Sequence, residues 1–417
     1  MRMSGRFFIV LALLSAAPVT GKAQGGWGAL EAAPASIENQ IQALGAKGAL
    51  FHFNYSGEGF ENFSGGVKRG GDYEGLLTIS GSFNLETLVR WDGATLYASM
   101  LYPHGNGISD GYVHDYNLLS NIDAYDSIRL SELWLQQDLF GGNFSIRVGH
   151  LVTDNDFYVS NNSSLFFNSA FGVLGTVLHN VAAPSYPVAS DGIRLRDNVT
   201  KAIYIQALAV DDNPGVQNID DKHGTLFGIH GSDGVLGFLE AGYIPHPPNS
   251  GSPLQAAYKL GGYFDSQYHP DIFTGTTRHW DYGFYAVVDQ PLHVVSSGTN
   301  GSPWGLSAFA RVSYAPDQRN AVVYYFDAGI NDTGILSWRP GDVFGVAFSF
   351  ERLGTDLDLA SGAPVLAHHE NVLEVTYQIN LNAMFSLQPD FQYIFNPGGV
   401  GKTPDAAVGG IRFSVTF

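Results

Sequence analysis

The chain has 417 residues, 14% of them charged, with 51 glycines, no cysteine and a formal net charge of −18. Average soluble domains carry about 25% charged residues and about 7% glycine, so this chain is charge-poor and glycine-rich. The absence of cysteine excludes disulfide frameworks, thiolate metal sites and cysteine nucleophiles, and the acidic balance argues against a nucleic-acid partner, which needs a basic face.

The first segment reads as an export signal. Arg2 and Arg6 precede an apolar run of 11 residues from Phe7 to Ala17, and Gly21-Lys22-Ala23 supplies small residues where cleavage is expected. A helix needs about 20 apolar residues to span a bilayer, so the run is too short to anchor the chain. Cleavage after Ala23 removes 23 residues carrying three basic groups and leaves 394 residues at net −21. Residues 24–47 follow, with Trp27, Leu30, Ile37, Ile41 and Leu44 at roughly helical spacing. They read either as a short amphipathic helix on the periplasmic side or as a partly ordered extension.

From residue 48 the period changes to two. In Val372–Leu381 the residues Leu373, Val375, Tyr377, Ile379 and Leu381 share one parity, and Glu374, Thr376, Gln378 and Asn380 share the other. Successive strand side chains point to opposite faces, so each such segment has one apolar and one polar face. Sixteen segments show this pattern: 50–60, 76–91, 94–103, 127–140, 143–153, 191–197, 201–211, 234–245, 255–266, 280–290, 305–315, 321–330, 342–352, 371–381, 384–395 and 408–417. Many are about ten residues long, the length a tilted strand needs to cross a bilayer.

Asp92-Gly93 and Gly141-Gly142 mark tight turns, whereas 104–126 and 154–190 are long polar loops. Short turns on one rim and long loops on the other are the pattern of an outer-membrane barrel. The 316–320 and 331–341 connections run against it, one short and one long. A secreted sandwich or β-helix also alternates. The low charge, the abundance of Tyr and Phe, and a terminal strand ending in Phe417 favour the membrane. The expected fold is all-β: a 16-stranded antiparallel transmembrane barrel over 48–417, after a signal peptide (1–23) and a helical periplasmic segment (24–47).

In order along the chain stand Tyr55-Ser-Gly-Glu58 with Asn62, Tyr73-Glu-Gly75, Asn84-Leu-Glu86, Trp91-Asp-Gly93 and His104-Gly-Asn-Gly-Ile-Ser109. Arg129-Leu-Ser-Glu-Leu-Trp134, Leu165-Phe-Phe-Asn168, Tyr186-Pro187, Asp317-Gln-Arg-Asn320, Arg339-Pro-Gly-Asp342 and Gln388-Pro-Asp-Phe-Gln-Tyr-Ile394 follow. This ordered series resembles the carbohydrate-selective porins of the OprB type, with a departure at Asp211-Asp-Asn-Pro214. The resemblance implies a passive outer-membrane channel for sugars and related small neutral polar solutes, with lipid outside, no cofactor and no enzymatic activity. A homotrimer and a monomer are both compatible with it. A general or ion-selective porin, or an outer-membrane barrel enzyme, are the rival readings.

A barrel of this size leaves a water-filled lumen, and loop 154–190, followed by 104–126, is expected to fold into it. Parity sorts the wall. With Leu77, Ile79, Phe83, Leu85 and Val89 outward, Glu86 and Arg90 point inward. The same rule turns Glu132, Trp134, Gln136, Asp138, Arg147, Arg194 and Arg196 inward, but places Arg129 outward unless a bulge re-aims it. The pore and constriction candidates are Glu58, Glu86, Arg90, Arg129, Glu132, Trp134, Arg147, Asp154, Asp156 and Arg194. Arginine donors and carboxylate acceptors match sugar hydroxyls, and the Trp134 ring offers a face for sugar C–H groups. Asp154-Asn-Asp156, Asp211-Asp-Asn213 and Asp220-Asp221 are acidic enough to invite Ca²⁺, but no acidic loop of the usual spacing follows, and solvated acids are the plainer reading.

Overall fold

The computed structural model describes residues 40–213, 221–229, 233–245, 254–270, 277–295, 304–354 and 368–417. The signal segment, residues 24–39 and Asp220 lie outside the described residues. Residues 40–45 are helical.

Sixteen strands close into one antiparallel barrel, each paired with its neighbours in sequence. They are β1 (Ala49–Ser64), β2 (Gly70–Asn84), β3 (Ala94–Gly105), β4 (Arg129–Leu139), β5 (Phe144–Leu151), β6 (Ser190–Asp197), β7 (Ile203–Asp211) and β8 (Val235–Tyr243). The second half is β9 (Ala257–Pro270), β10 (Thr277–Val295), β11 (Trp304–Tyr314), β12 (Val322–Thr333), β13 (Val343–Leu353), β14 (His369–Asn380), β15 (Phe385–Phe395) and β16 (Ala406–Thr416). Every period-two segment overlaps one of these strands. The seam is β1 against β16, where Glu58 lies directly opposite Arg412, and Phe417 N donates to Phe53 O at 2.8 Å. Closure satisfies every strand edge, which a sheet in lipid requires.

The alternation sorts side chains as parity predicts. Val148, Ile193, Leu195, Phe391, Ile411 and Phe413 are exposed on the outside, whereas Glu374, Thr376, Gln388 and Gln392 are buried on the inside. The 316–320 and 331–341 irregularities are real: strands β11 to β13 are joined across 315–321 and 334–342.

Two local features depart from simple parity. The 76–91 segment is not one strand. β2 stops at Asn84, whose side chain accepts from Thr87 N at 2.8 Å and caps a short helix, Leu85–Val89. Arg90 ends that helix in the left-handed region, at φ 63°. Apolar residues at 85, 88 and 89 satisfy one helical turn as well as a strand end, and the Asn cap decides between them. Glu86 and Arg90 are therefore exposed on the rim that carries both chain ends, not inside the lumen as parity placed them. In β4, Ser99 pairs with Glu132 but Met100 pairs with Leu130, so Ser131 is an extra residue. This bulge reverses parity on its N-terminal side and turns Arg129 inward, where it is 1% exposed.

The core lies inside the barrel, made by the two long loops and the wall. Phe157, Tyr158, Leu174 and Val177 pack on Phe238, Tyr263 and Tyr285. Phe166, Phe167 and Phe171 pack with Val113, Leu119, Phe309 and Ile394.

Candidate functional site

The loop between β5 and β6 crosses the lumen, and wall carboxylates hold its backbone. Tyr158 N donates to Glu240 at 2.9 Å. Ser160 Oγ and Asn161 N donate to Asp289 at 2.6 and 3.1 Å. Phe167 N and Asn168 N donate to the two oxygens of Glu374 at 2.6 and 3.0 Å. The loop between β3 and β4 is held likewise, Tyr116 N and Asn117 N donating to Glu370 at 2.7 and 2.8 Å. These four wall carboxyls are therefore occupied in fixing the loops. Arg311 of β11 does the reverse, donating to the carbonyls of Gly172 at 2.7 Å and Ala170 at 3.0 Å.

The two loops meet where Tyr186 Oη donates to Ile122 O at 2.7 Å. They leave a cavity of about 450 Å³ whose lining includes Asn121, Asp123, Asp154, Tyr186 and Arg412. On one side, β4 and β5 present a connected set. Trp134 Nε1 donates to Glu132 at 3.2 Å, and Asn155 Nδ2 donates to the other Glu132 oxygen at 2.9 Å. Arg147 donates to Asp156 at 2.7 Å and to Gln136 at 3.1 Å. Arg194 shares Gln136 at 3.1 Å and lies 3.9 Å from Asp156. Arg196 lies over the Tyr204 ring at 3.9 Å. On the other side, Arg412 pairs with Glu58, donates to Asn121 at 2.8 Å and covers the Phe167 ring at 3.9 Å.

The structure thus gathers Glu132, Trp134, Arg147, Asp154, Asp156 and Arg194 along β4 to β6 and the loop that follows β5, with Glu58 on β1 beside Arg412. Arg129 reaches the lumen higher up, against Tyr125, beneath the 221–224 segment. Trp134 is not an open platform. The Tyr97 ring stacks on it at 4.8 Å and 18°, and the Arg147 guanidinium sits 4.1 Å from its centroid. Tyr97 comes from β3 and Arg147 from β5, on either side of β4, so both ring faces are covered. The ring stiffens Arg147, and solutes meet charged and amide edges instead.

Tyr97, Gln136, Asn155, Asp123, Tyr186, Arg196 and Arg412 complete the constriction and were not among the candidates. Tyr97 shares parity with Thr95 and Ser99, but its place opposite Trp134 follows only from the β3–β4 register. The acidic triplet is committed without a metal: Asp154 accepts from Tyr186 N at 2.9 Å, and Asp156 pairs with Arg147.

Burial pushes the Asp154 carboxyl up to about 6. Burial, helped by the negative charges of Asp110 and Glu58, pushes Asp123 up to about 6 as well. Both acids gain protons below that pH while the arginines stay charged. Lowering pH from about 7.5 to about 5 should therefore shift the reversal potential in a KCl gradient towards chloride, and Asp154→Asn should flatten the shift. The folded chain keeps these protons where the unfolded chain, with carboxyls near about 4, releases them, so their contribution to stability falls as pH rises from about 4 to about 6.

Residues 68–417 match the model of a family described as "Carbohydrate-selective porin, OprB family". Porin B of Pseudomonas aeruginosa is 24% identical over 411 residues, covering 89% of this chain and 88% of that protein. A putative porin, QuiX, of Acinetobacter baylyi is 20% identical over 407 residues, covering 90% and 91%. The high-pH structure of Pseudomonas putida OprB superposes with a TM-score of 0.82 at 22% identity, covering 92% of this chain and 97% of that one. A barrel closed through sixteen strands, narrowed by its own loops and matched over most of its length, belongs to the carbohydrate-selective porins of the OprB family, passive diffusion channels for carbohydrates rather than enzymes.

Proposed function

We propose that the constriction between Arg147, Glu132 and Asp154 on one wall and Arg412 and Asp123 on the other selects small neutral polyols. The observation that carries this reading is the mixed charge of the lining. The Arg412 guanidinium, the Asp123 and Asp154 carboxyls and the Asn121 amide line one cavity, and Arg147 and Glu132 stand on the neighbouring lumen wall, so hydroxyls at several edges of a sugar find partners, while neither sign of ion is favoured throughout. A stacked aromatic track has no part in it, because Trp134 is covered on both faces. Binding through a few exchangeable hydrogen bonds is weak enough to permit release, as conduction requires.

The signal segment 1–23 directs export, 24–47 lies on the periplasmic side, and 48–417 forms the barrel in the outer membrane. Both chain ends share one rim, which faces the periplasm, so the long loops open outward. Lipid meets the apolar outer band. The constriction is built from one chain, so a monomer conducts by the same route as each subunit of a homotrimer would.

The test is paired. In planar bilayers the full chain should give step conductance that glucose reduces at about millimolar levels. In liposome swelling, monosaccharides should enter faster than disaccharides by more than their size difference explains. Swelling that follows size alone would favour a general porin, and absence of conductance would overturn the channel itself.

A further inference from the structure

β7 ends in Asp211, and Asp212 and Asn213 follow it at the rim opposite the chain ends. The sequence suggests that these acids are solvated, but the structure buries them. Asp211 is 3% exposed and Asp212 is 1% exposed. Two strands along, Asp265 of β9 is 1% exposed as well. β8 lies between, pairing Val235 with Asp211 and Leu236 with Asp265. The Asp212 carboxyl comes within hydrogen-bonding reach of the Asp265 carboxyl.

The donors nearby serve other acceptors. Gln267 N donates to Asp265 Oδ1 at 2.7 Å, and Asn213 N donates to Asp211 Oδ1 at 3.0 Å. Gln267 Nε2 donates to the main-chain carbonyls of Asp212 and Asp233, at 2.9 and 2.5 Å. Ser190 Oγ donates to the Asp211 carbonyl at 2.7 Å. Both carboxyl oxygens of Asp212 are buried and have no hydrogen-bond partner. A buried carboxylate is costly unless it is paired, hydrogen-bonded or bound to a metal, and a second carboxylate facing it adds repulsion. A cation between the two removes both costs.

We propose that Asp212 and Asp265 bind a Ca²⁺ ion that joins the end of β7 to β9 across β8. Carboxylates and main-chain carbonyls are hard oxygen donors, which suit Ca²⁺ rather than zinc or copper. Ca²⁺ takes about six to eight oxygens in a flexible shell. Among the described residues no group of three His or acidic side chains is gathered for a metal, so main-chain carbonyls and water complete the shell. With two carboxylates the affinity belongs at the weak end of calcium sites, with a dissociation constant on the order of 10⁻⁴ to 10⁻³ M. The rival occupant is a proton shared by the two carboxyls. The site does not depend on the sugar selectivity proposed above.

The test uses the full chain refolded in detergent, free of lipopolysaccharide and stripped with EDTA. CaCl₂ is added at constant ionic strength, and binding is read by isothermal titration calorimetry and by thermal melting. Calcium should bind with the affinity just given and raise the melting temperature. Asp212→Asn and Asp265→Asn should each weaken binding at least about tenfold and lose the rise. Asp197→Asn, at an exposed acid on the rim of the chain ends, should respond as the unaltered chain does. Absence of calcium binding in the unaltered chain overturns the proposal and leaves the shared proton as the occupant. A response that survives Asp212→Asn and Asp265→Asn, or that Asp197→Asn lowers as much as they do, also overturns it, since calcium is then screening surface acids at large. Circular dichroism checks that each variant keeps its β-sheet, and if one of the two site variants does not fold, the other decides.

Discussion

Replacing Arg147 by alanine should open the channel and abolish most of its sugar preference. This guanidinium donates to Asp156 at 2.7 Å and to Gln136 at 3.1 Å, and it lies on the Trp134 ring. Its loss removes donors from the lumen wall and leaves Asp156 without its nearest cation. Arg194, 3.9 Å from Asp156 and already bonded to Gln136 and Ser145, is poorly placed to take over. The start of the lumen loop then loses a tether. Single-channel conductance should rise, and the sugar concentration for half block should rise about tenfold, the equivalent of about 1.4 kcal/mol. Arg147→Lys separates the two roles. A lysine keeps the charge but not the planar fork that reaches three partners, so ion preference should return while sugar block stays weak. Unchanged block in both variants would remove this wall from the selectivity account.

A second large effect is expected in stability, from Asp327→Ala. Asp327 accepts from Arg311 Nε at 2.9 Å, and both side chains are 0% exposed. Removing one partner of a buried pair leaves an uncompensated charge and costs about 3–5 kcal/mol. Arg311 also carries the loop through the Gly172 and Ala170 carbonyls, so its displacement should free the apex of the loop. Thermal loss of the β-sheet circular dichroism signal should move to lower temperature, and open-channel current should become noisier. The double variant Arg311→Met with Asp327→Leu should regain much of the stability, since replacing both members of a buried pair by apolar groups is often neutral. It should not quieten the current, because the Gly172 carbonyl still lacks its donor and Ala170 keeps only the Tyr325 hydroxyl. If the single variant melts normally, the pair is not holding the loop.

What the sequence by itself determined was the wall: the number of strands, the limits of most of them to within a few residues (β2, read over 76–91, runs over 70–84), and which strand side chains face lipid. A two-residue rhythm is a local property, and lipid outside with water inside enforces it on every strand. The inward aim of Arg147 and Arg194 was legible for the same reason.

Only the tertiary structure decided the rest. Glu86 and Arg90 keep the rhythm of β2 but belong to a capped helical turn, since one turn of helix and one strand end can carry the same short pattern. Arg129 turns inward because a ladder hydrogen bond is skipped at Ser131, an event with no side-chain signature. The stacking of Tyr97 on Trp134 depends on the register between strands, which alternation within one strand does not encode. The constriction joins residues as far apart as Glu58 and Arg412, and Phe167 meets Glu374 across the lumen. Such contacts exist only once the sheet has closed, because it is closure that brings the far wall to the loop.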